Sequence, residues 1–290
     1  MACIRIDGKA VAEATCTELK DWVLKLERER GIRPGLAVVL VGGDPASAVY
    51  VKSKEERATS LGFVSKVLRL PDNISESKLL SAIHDLNRDA AVHGILVQLP
   101  LPPPLRAARI TAAVDPAKDV DGFHPENVGA LCNGLAGMVP CTPRGIMKLL
   151  THYQIPVAGQ HAVVIGRSNV VGKPMAQLLL RADATVTMCH SKTTGLIEHV
   201  MRADIVIAAM GRPQVVNGAW LKKGATVIDV GIHRLENGKL CGDVDYESAE
   251  RVAGALTPVP GGVGPMTIAM LMLATCEAAM AMKPLKQVPR

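Results

Sequence analysis

Aromatic side chains are nearly missing from this chain: two Trp, three Tyr and two Phe in 290 residues. Single-stranded nucleic acid is held largely by stacking on such rings, so a nucleic-acid reading of the formal net charge of +6 is weakened, and the charge fits anionic small molecules equally well. The Lys and Arg residues are scattered rather than gathered in one block, which argues the same way. Paired-cysteine spacing is also absent. The seven cysteines (Cys3, Cys16, Cys132, Cys141, Cys189, Cys241, Cys276) are odd in number and contain no C-x-x-C, which points to reduced thiols in the cytoplasm and against a disulfide frame or a zinc site. The eight histidines show no H-E-x-x-H spacing, and no metal is expected. Residues 1–14 have neither the apolar run of a secretion signal nor the Arg-rich character of an organelle presequence. The apolar tail from Met266 to Met282 is interrupted by Glu277 and short for a membrane span, so it reads as a helix packed on a core.

What is present is the rhythm of an α/β protein. Hydrophobic residues make up 48% and charged residues 21%, the balance of a globular chain, and the length suffices for two domains. An interrupted apolar stripe of Val11, Leu19, Trp22, Val23 and Leu26 predicts a helix from Asp7 to Arg30, ending at Gly31. Leu36 to Val41 is a continuous apolar run expected of a buried parallel strand. A turn at Gly42 to Pro45 and a helix to about Leu61 follow, then an alternating strand (Phe63 to Leu70), a helix (Ser75 to Asn87) and a third strand (Gly94 to Leu99). Asp115 to Pro143 has no sustained period and reads as a junction with site-forming loops. A helix from Pro143 to His152 opens a second unit, with strands expected at Ala162 to Ile165, Ala184 to Met188, Ile205 to Ala209 and Ala225 to Val230. The expectation is therefore two α/β domains with parallel sheets around a cleft: residues 1–142 with the tail 267–290 packed back on them, and a Rossmann-type domain over 143–266.

Within the second unit, His161 to Met175 reads as strand, turn, helix. Gly166, Arg167, Ser168 and Asn169 form the turn, and Pro174 suits a first helical turn, where no amide donor is missed. Unpaired amides and the helix dipole converge at such a turn and favour an anion. The match to G-x-G-x-x-G is partial, because Ser168 holds the middle glycine position and Gly172 follows; an ordinary strand–helix turn has the same pattern. After the next strand, where an NAD site carries an acid for the ribose 2′-hydroxyl, stand Cys189, His190, Ser191, Lys192 and Thr193. With no carboxylate there and Arg167 in the turn, a phosphorylated ribose, and hence NADP over NAD, is favoured; the alternative is that these are ordinary polar residues capping a strand.

In the first unit Tyr50 and Lys54 stand at i, i+4 on one helical face, with Ser47 a turn earlier. They are either a solvated face with a snorkelling lysine or a pair facing a pocket, where desolvation would let the amine lose its proton. Gln98 closes an apolar strand at its carboxyl end, where open α/β sheets place ligands; it contacts a ligand, a side chain or the loop. Asp119 and Asp121 alternate, and spacing does not say which one faces a site. Cys141 has no neighbouring His in sequence and reads as a buried thiol. On residues alone, a dehydrogenase of another small acid and a non-catalytic nucleotide-binding regulator both stay open.

Taken together, Gly42-Gly43-Asp44 with Ser47, Tyr50-Val-Lys-Ser-Lys54, Gly94-Ile-Leu-Val-Gln98-Leu-Pro, Lys118-Asp-Val-Asp121-Gly, Pro140-Cys-Thr-Pro143, Gly166-Arg-Ser168 through Gly172-Lys-Pro174, and Pro258-Val-Pro-Gly-Gly-Val-Gly-Pro-Met-Thr267 resemble the bifunctional methylenetetrahydrofolate dehydrogenase/methenyltetrahydrofolate cyclohydrolase family, the FolD type, over nearly the whole chain. The resemblance implies Lys54 as the central catalytic residue, Tyr50 orienting the folate, Gln98 positioning Lys54, and Asp121 bonding the pterin. It implies cofactor contacts from Gly166, Arg167, Ser168, Ser191 and Ile232, with NADP as cofactor. Substrate contacts are implied for Val97 and Leu99 and for the loop Pro260, Gly261, Gly262, Val263 and Gly264. It further implies a cytoplasmic homodimer acting on tetrahydrofolate derivatives, with neither nucleic acid nor membrane as partner. One departure is His233, where the family commonly has Asn.

Overall fold

The computed structural model describes residues 2–282. In chain order, β1 (Ile4–Arg5) leads into α1 (Gly8–Arg30), β2 (Gly35–Val41), α2 (Pro45–Ser60), β3 (Val64–Leu70), α3 (Glu76–Arg88), β4 (Gly94–Val97), α4 (Ala107–Thr111) and α5 (Pro125–Cys132). Then come α6 (Cys141–His152), β5 (His161–Ile165), α7 (Gly172–Arg181), β6 (Thr185–Cys189), α8 (Leu196–Met201), β7 (Ile205–Ala208) and β8 (Thr226–Asp229). The chain ends with β9 (His233–Arg234), β10 (Leu240–Cys241), α9 (Tyr246–Glu250), β11 (Ala255–Leu256) and α10 (Val263–Ala281).

Two compact units result. One comprises Ala14–Val139 with the chain from Leu271 onward; the other comprises Pro140–Met270 with the chain up to Glu13. The first holds a parallel sheet in the order β3-β2-β4. Its central strand β2 is buried along its whole length, as the unbroken apolar run requires, whereas the edge strand β3 alternates and is partly exposed. Leu79, Ile83 and Leu86 of α3 pack with Ala37, Val39, Ile95 and Val97 to form the core on one face. The second unit holds a six-stranded parallel sheet, β1-β11-β8-β7-β5-β6, with a small antiparallel pair β9/β10 beside it. The chain leaves β5 for the edge strand β6 and returns on its other side to β7, so β5 borders a switch point, where doubly wound sheets bind ligands at the carboxyl ends.

Several boundaries depart from the sequence expectation. Residues up to 13 go with the second unit, because β1 pairs with β11 there; a two-residue strand has no periodicity to announce it. The tail helix divides as well. Up to Met270 it packs in the second unit, where Thr267 bonds Thr142 at 2.9 Å and Gly145 has room for no Cβ against Met266. Beyond Leu271 it packs in the first, where Thr275 lies against Gly94. The expected stretch 283–290 lies outside the described residues. By length and composition α10 passes for a membrane span, yet most of it is buried within the protein. Trp22 is 48% exposed, one position off the buried row of Val11, Leu19, Val23 and Leu26. The expected loop region contains α5, and the third strand stops at Val97 rather than Leu99.

Candidate active site

The first unit brings its candidate residues together near the carboxyl ends of β2 and β4. After β2 the chain turns at Gly42, whose φ of +84° only glycine adopts without strain. Asp44 then caps α2, its carboxylate accepting from the Ser47 amide at 2.8 Å, and Pro45 occupies the first helical turn. This cap fixes where the helix starts, and with it the directions of its side chains. Ser47 is buried, Tyr50 is 39% exposed, and Lys54 is half-buried. Burial raises the Tyr50 phenol above its ordinary value.

From β4, Gln98 stands one residue past the strand, although its amide still donates to the Val39 carbonyl at 2.9 Å. Its side-chain Oε1 accepts from Lys54 Nζ at 2.9 Å, and its Nε2 donates to the Leu99 carbonyl at 2.7 Å. Both halves of the amide are therefore committed, and the amine is held from a rigid strand end. Leu99 enters this bonding through its main chain, while the Val97 side chain belongs to the apolar core.

The two alternating aspartates have separate tasks. Asp119 is buried and its carboxylate accepts from the His124 amide at 2.7 Å and from Asn127 Nδ2 at 2.9 Å. Burial raises it and these bonds pull it back, so it works as a loop anchor. Asp121 is the one that shares an electrostatic field with Lys54. Burial pushes its carboxyl up to about 6; the Lys54 charge opposes the rise and Asp119 adds to it. Asn127 went unnoticed in sequence. Buried on α5, it also donates to the Pro116 carbonyl and accepts from the Met138 amide, tying residues 116–138 together.

In the second unit, Gly166 has φ +134°, and a Cβ there would collide with the Ala209 carbonyl. A Cβ on Gly172 would collide with the Gly166 carbonyl. These are the tight turn and close packing that dinucleotide turns require. Ser168, at the middle position, caps α7 instead of a bare glycine: its Oγ accepts from the amides of Val171 at 3.1 Å and Gly172 at 3.3 Å. Its own hydrogen remains available to an anion. Arg167 and Ser191 are exposed at the ends of the neighbouring strands β5 and β6, which are joined there by the Gly166 amide donating to the Cys189 carbonyl. The segment His190 to Thr193 closes on itself through His190 and Thr193 and presents no carboxylate. The cradle fits a phosphate-bearing dinucleotide.

Ile232 is exposed just past β8. The stretch Pro260 to Gly264 belongs to this unit; Pro260 to Gly262 form the loop and Val263 and Gly264 open α10. Its Gly261 carbonyl accepts from the Lys9 amide, and its Gly262 carbonyl lies where a Cβ on Gly8 would be. The sequence reading overlooked a second cluster here, Asp229 and Asp243, which are buried at 3% and 0% exposure.

Two family models match the chain. They are the tetrahydrofolate dehydrogenase/cyclohydrolase catalytic domain over residues 6–121 and the NAD(P)-binding domain of the same enzymes over residues 140–283. The bifunctional protein FolD of Magnetococcus marinus is 56% identical over 274 residues, 94% of this chain and 96% of that one. FolD of Streptococcus agalactiae is 54% identical over 275 residues, 95% and 97% of the two chains. Among solved structures, the FolD methylenetetrahydrofolate dehydrogenase/cyclohydrolase of Campylobacter jejuni superposes with a TM-score of 0.95 at 49% identity, covering 96% of this chain and 99% of that one. The Trypanosoma brucei FolD, solved with NADP cofactor and an inhibitor, gives 0.93 at 39% identity, covering 97% and 98%.

Proposed function

Since the chain belongs to the tetrahydrofolate dehydrogenase/cyclohydrolase family, it is a bifunctional enzyme that oxidises 5,10-methylenetetrahydrofolate with NADP and hydrolyses the product to 10-formyltetrahydrofolate, and we propose that Lys54, Tyr50, Gln98 and Asp121 carry this chemistry. The observation that supports the assignment most directly is the Lys54 Nζ to Gln98 Oε1 bond of 2.9 Å, with Asp121 in the field of the same amine.

In the oxidation, hydride leaves the methylene carbon and the folate nitrogen lone pairs support the resulting cation, so the protein's task is alignment. Bound NADP supplies the hydride acceptor. Tyr50, exposed one turn before Lys54, offers a ring face to the pterin, and Asp121 offers a carboxyl that can donate or accept near neutral pH. In the hydrolysis, water adds to the methenyl carbon and the carbon's bond to one ring nitrogen then breaks. Lys54 takes the proton from the attacking water and returns one to the departing nitrogen, while Gln98 holds the amine in place. Val97 and Leu99 contribute main-chain contacts, and Pro260, Gly261, Gly262, Val263 and Gly264 complete the substrate-binding set.

The cofactor falls to the second unit, through Gly166, Arg167, Ser168, Ser191 and Ile232. The exposed guanidinium of Arg167 and the absence of a carboxylate after β6 suit a 2′-phosphate. The first unit, Ala14–Val139, is the folate-binding part. The enzyme works as a cytoplasmic homodimer on small-molecule folates, without nucleic acid or membrane partners, in keeping with its scarce aromatics and dispersed basic residues. A coupled assay of the purified protein with methylene- and then methenyl-tetrahydrofolate, run with each nicotinamide cofactor, tests the reading. NADPH formation followed by loss of the methenyl chromophore is expected; oxidation without hydrolysis would remove the second activity.

A further inference from the structure

Asp243 is completely buried and saturated with donors. Its Oδ2 accepts from the amides of Met210 at 2.7 Å and Gly211 at 2.9 Å, and its Oδ1 accepts from the Arg212 amide at 3.0 Å. The fourth contact is His233 Nε2, 2.7 Å from Oδ1. A carboxylate has about four acceptor positions, so this one is full, and His233 is its only side-chain donor among the described residues. The carboxylate is fixed from below too. The Asp243 amide donates to Asp229 Oδ1 at 2.8 Å, the Val244 amide to Asp229 Oδ2 at 2.9 Å, and the Gly231 amide to Asp229 Oδ1 at 2.9 Å. Gly231 and Gly242 make room for the crossing: a Cβ on the former would strike Asp243 and on the latter Asp229.

The two segments that meet at Asp243 both border residues assigned to the cofactor. Gly231 to His233 contains Ile232. Met210 to Arg212 continues from Ala209, whose carbonyl is the atom packed against Gly166. We propose that His233 is a positioning residue of the cofactor site: by donating Nε2–H to Asp243 it locks the main chain at Ile232 to the turn 210–212, and through Ala209 to the Gly166 turn. With three main-chain amides already donating to Asp243, its Oδ1 is the acceptor of this bond too, which places a ring proton on Nε2 of a side chain that is 21% exposed. This inference rests on the reading that the second unit takes NADP.

The test uses the full-length enzyme with His233→Ala and His233→Gln, since Gln carries an N–H donor at about the reach of Nε2. NADP binding is measured by titration calorimetry and both activities are assayed; hydrolysis of methenyltetrahydrofolate consumes no NADP and serves as the internal control. Loss of a hydrogen bond to a buried carboxyl should raise the Kd and KM for NADP about tenfold in His233→Ala, with dehydrogenase kcat and cyclohydrolase rate within about twofold of the parent. His233→Gln should recover most of the affinity. Unchanged NADP affinity in His233→Ala overturns the proposal, and so does equal loss in both variants or a matching loss of cyclohydrolase, either of which marks a merely structural role. If the parent enzyme itself binds no NADP while still hydrolysing methenyltetrahydrofolate, the assignment of the cofactor to this unit fails, and the positioning role with it.

Discussion

Asp121, half-buried in the first unit, and Asp229, buried in the second, are carboxyls pushed to the same place, about 6 in each case, chiefly by loss of water. Their neighbours differ. Asp229 is satisfied by three main-chain amides, those of Gly231, Asp243 and Val244, which cannot move without the chain moving. Asp121 sits instead in the field of the Lys54 amine, a charged group on a flexible stem rather than a fixed main-chain donor. A raised carboxyl therefore marks two different things in one molecule. Held by amides it organises loops, and set beside an amine it fits the catalytic role proposed for Asp121.

The largest expected effect breaks this contrast on the chemical side. Replacing Lys54 by Met keeps the stem's bulk and removes the amine, and should lower cyclohydrolase turnover by about 10²- to 10⁴-fold, the usual worth of a positioned acid–base group. NADP affinity should stay within about twofold, because the residues proposed for the cofactor belong to the other unit. Retained hydrolysis would take Lys54 out of its role. On the structural side, Asp229→Asn keeps the shape but turns an amide N–H toward at least one of three main-chain N–H groups. A loss of about 2–4 kcal/mol in urea-denaturation stability is expected, since a buried donor is left unsatisfied. If stability is unchanged, the amide cage around Asp229 is not what holds the loops.

Much of this was legible in the sequence because it was local. The unbroken run from Leu36 to Val41 could only be a strand buried on both faces, and Gln98 at the end of an apolar strand had to find a partner, which proved to be Lys54. The choice between Asp119 and Asp121 was not legible in their spacing, and only the family resemblance pointed to Asp121. Alternation separates their faces, but the donors that claim Asp119 come from His124 and Asn127, on or beside a short helix with too little periodicity to be recognised. The pairing of Asp229 with Asp243 was hidden for another reason. It joins residues fourteen apart across the β9/β10 hairpin, and the only trace in sequence is a glycine near each aspartate, Gly231 and Gly242.

A smaller effect is expected at the cofactor turn. Arg167→Ala removes an exposed guanidinium without disturbing the Ser168 cap. It should weaken NADP by about tenfold while leaving NAD within about twofold, the difference expected of one charge-assisted contact to a 2′-phosphate. Equal losses for both cofactors, measured by parallel titrations, would show that Arg167 reads the shared pyrophosphate instead.

The smallest effect sharpens the comparison itself. A carboxyl that holds its proton more tightly in the folded than in the unfolded chain adds stability that is complete below about 4, its unfolded value, and is lost as pH rises through about 6. Asp121 and Asp229 should both contribute a fall of this sign between pH 5 and 7, each by about 1 kcal/mol. Asp121→Asn should therefore flatten the fall by roughly half. The part that remains belongs to Asp229, whose carboxyl is shifted by burial, main-chain amides and Asp243. Denaturation midpoints of the two proteins across that range decide the matter. If the slope is identical in both, Asp121 does not hold its proton in the folded state, and its donor role toward the pterin has to be given up while its role as acceptor stands.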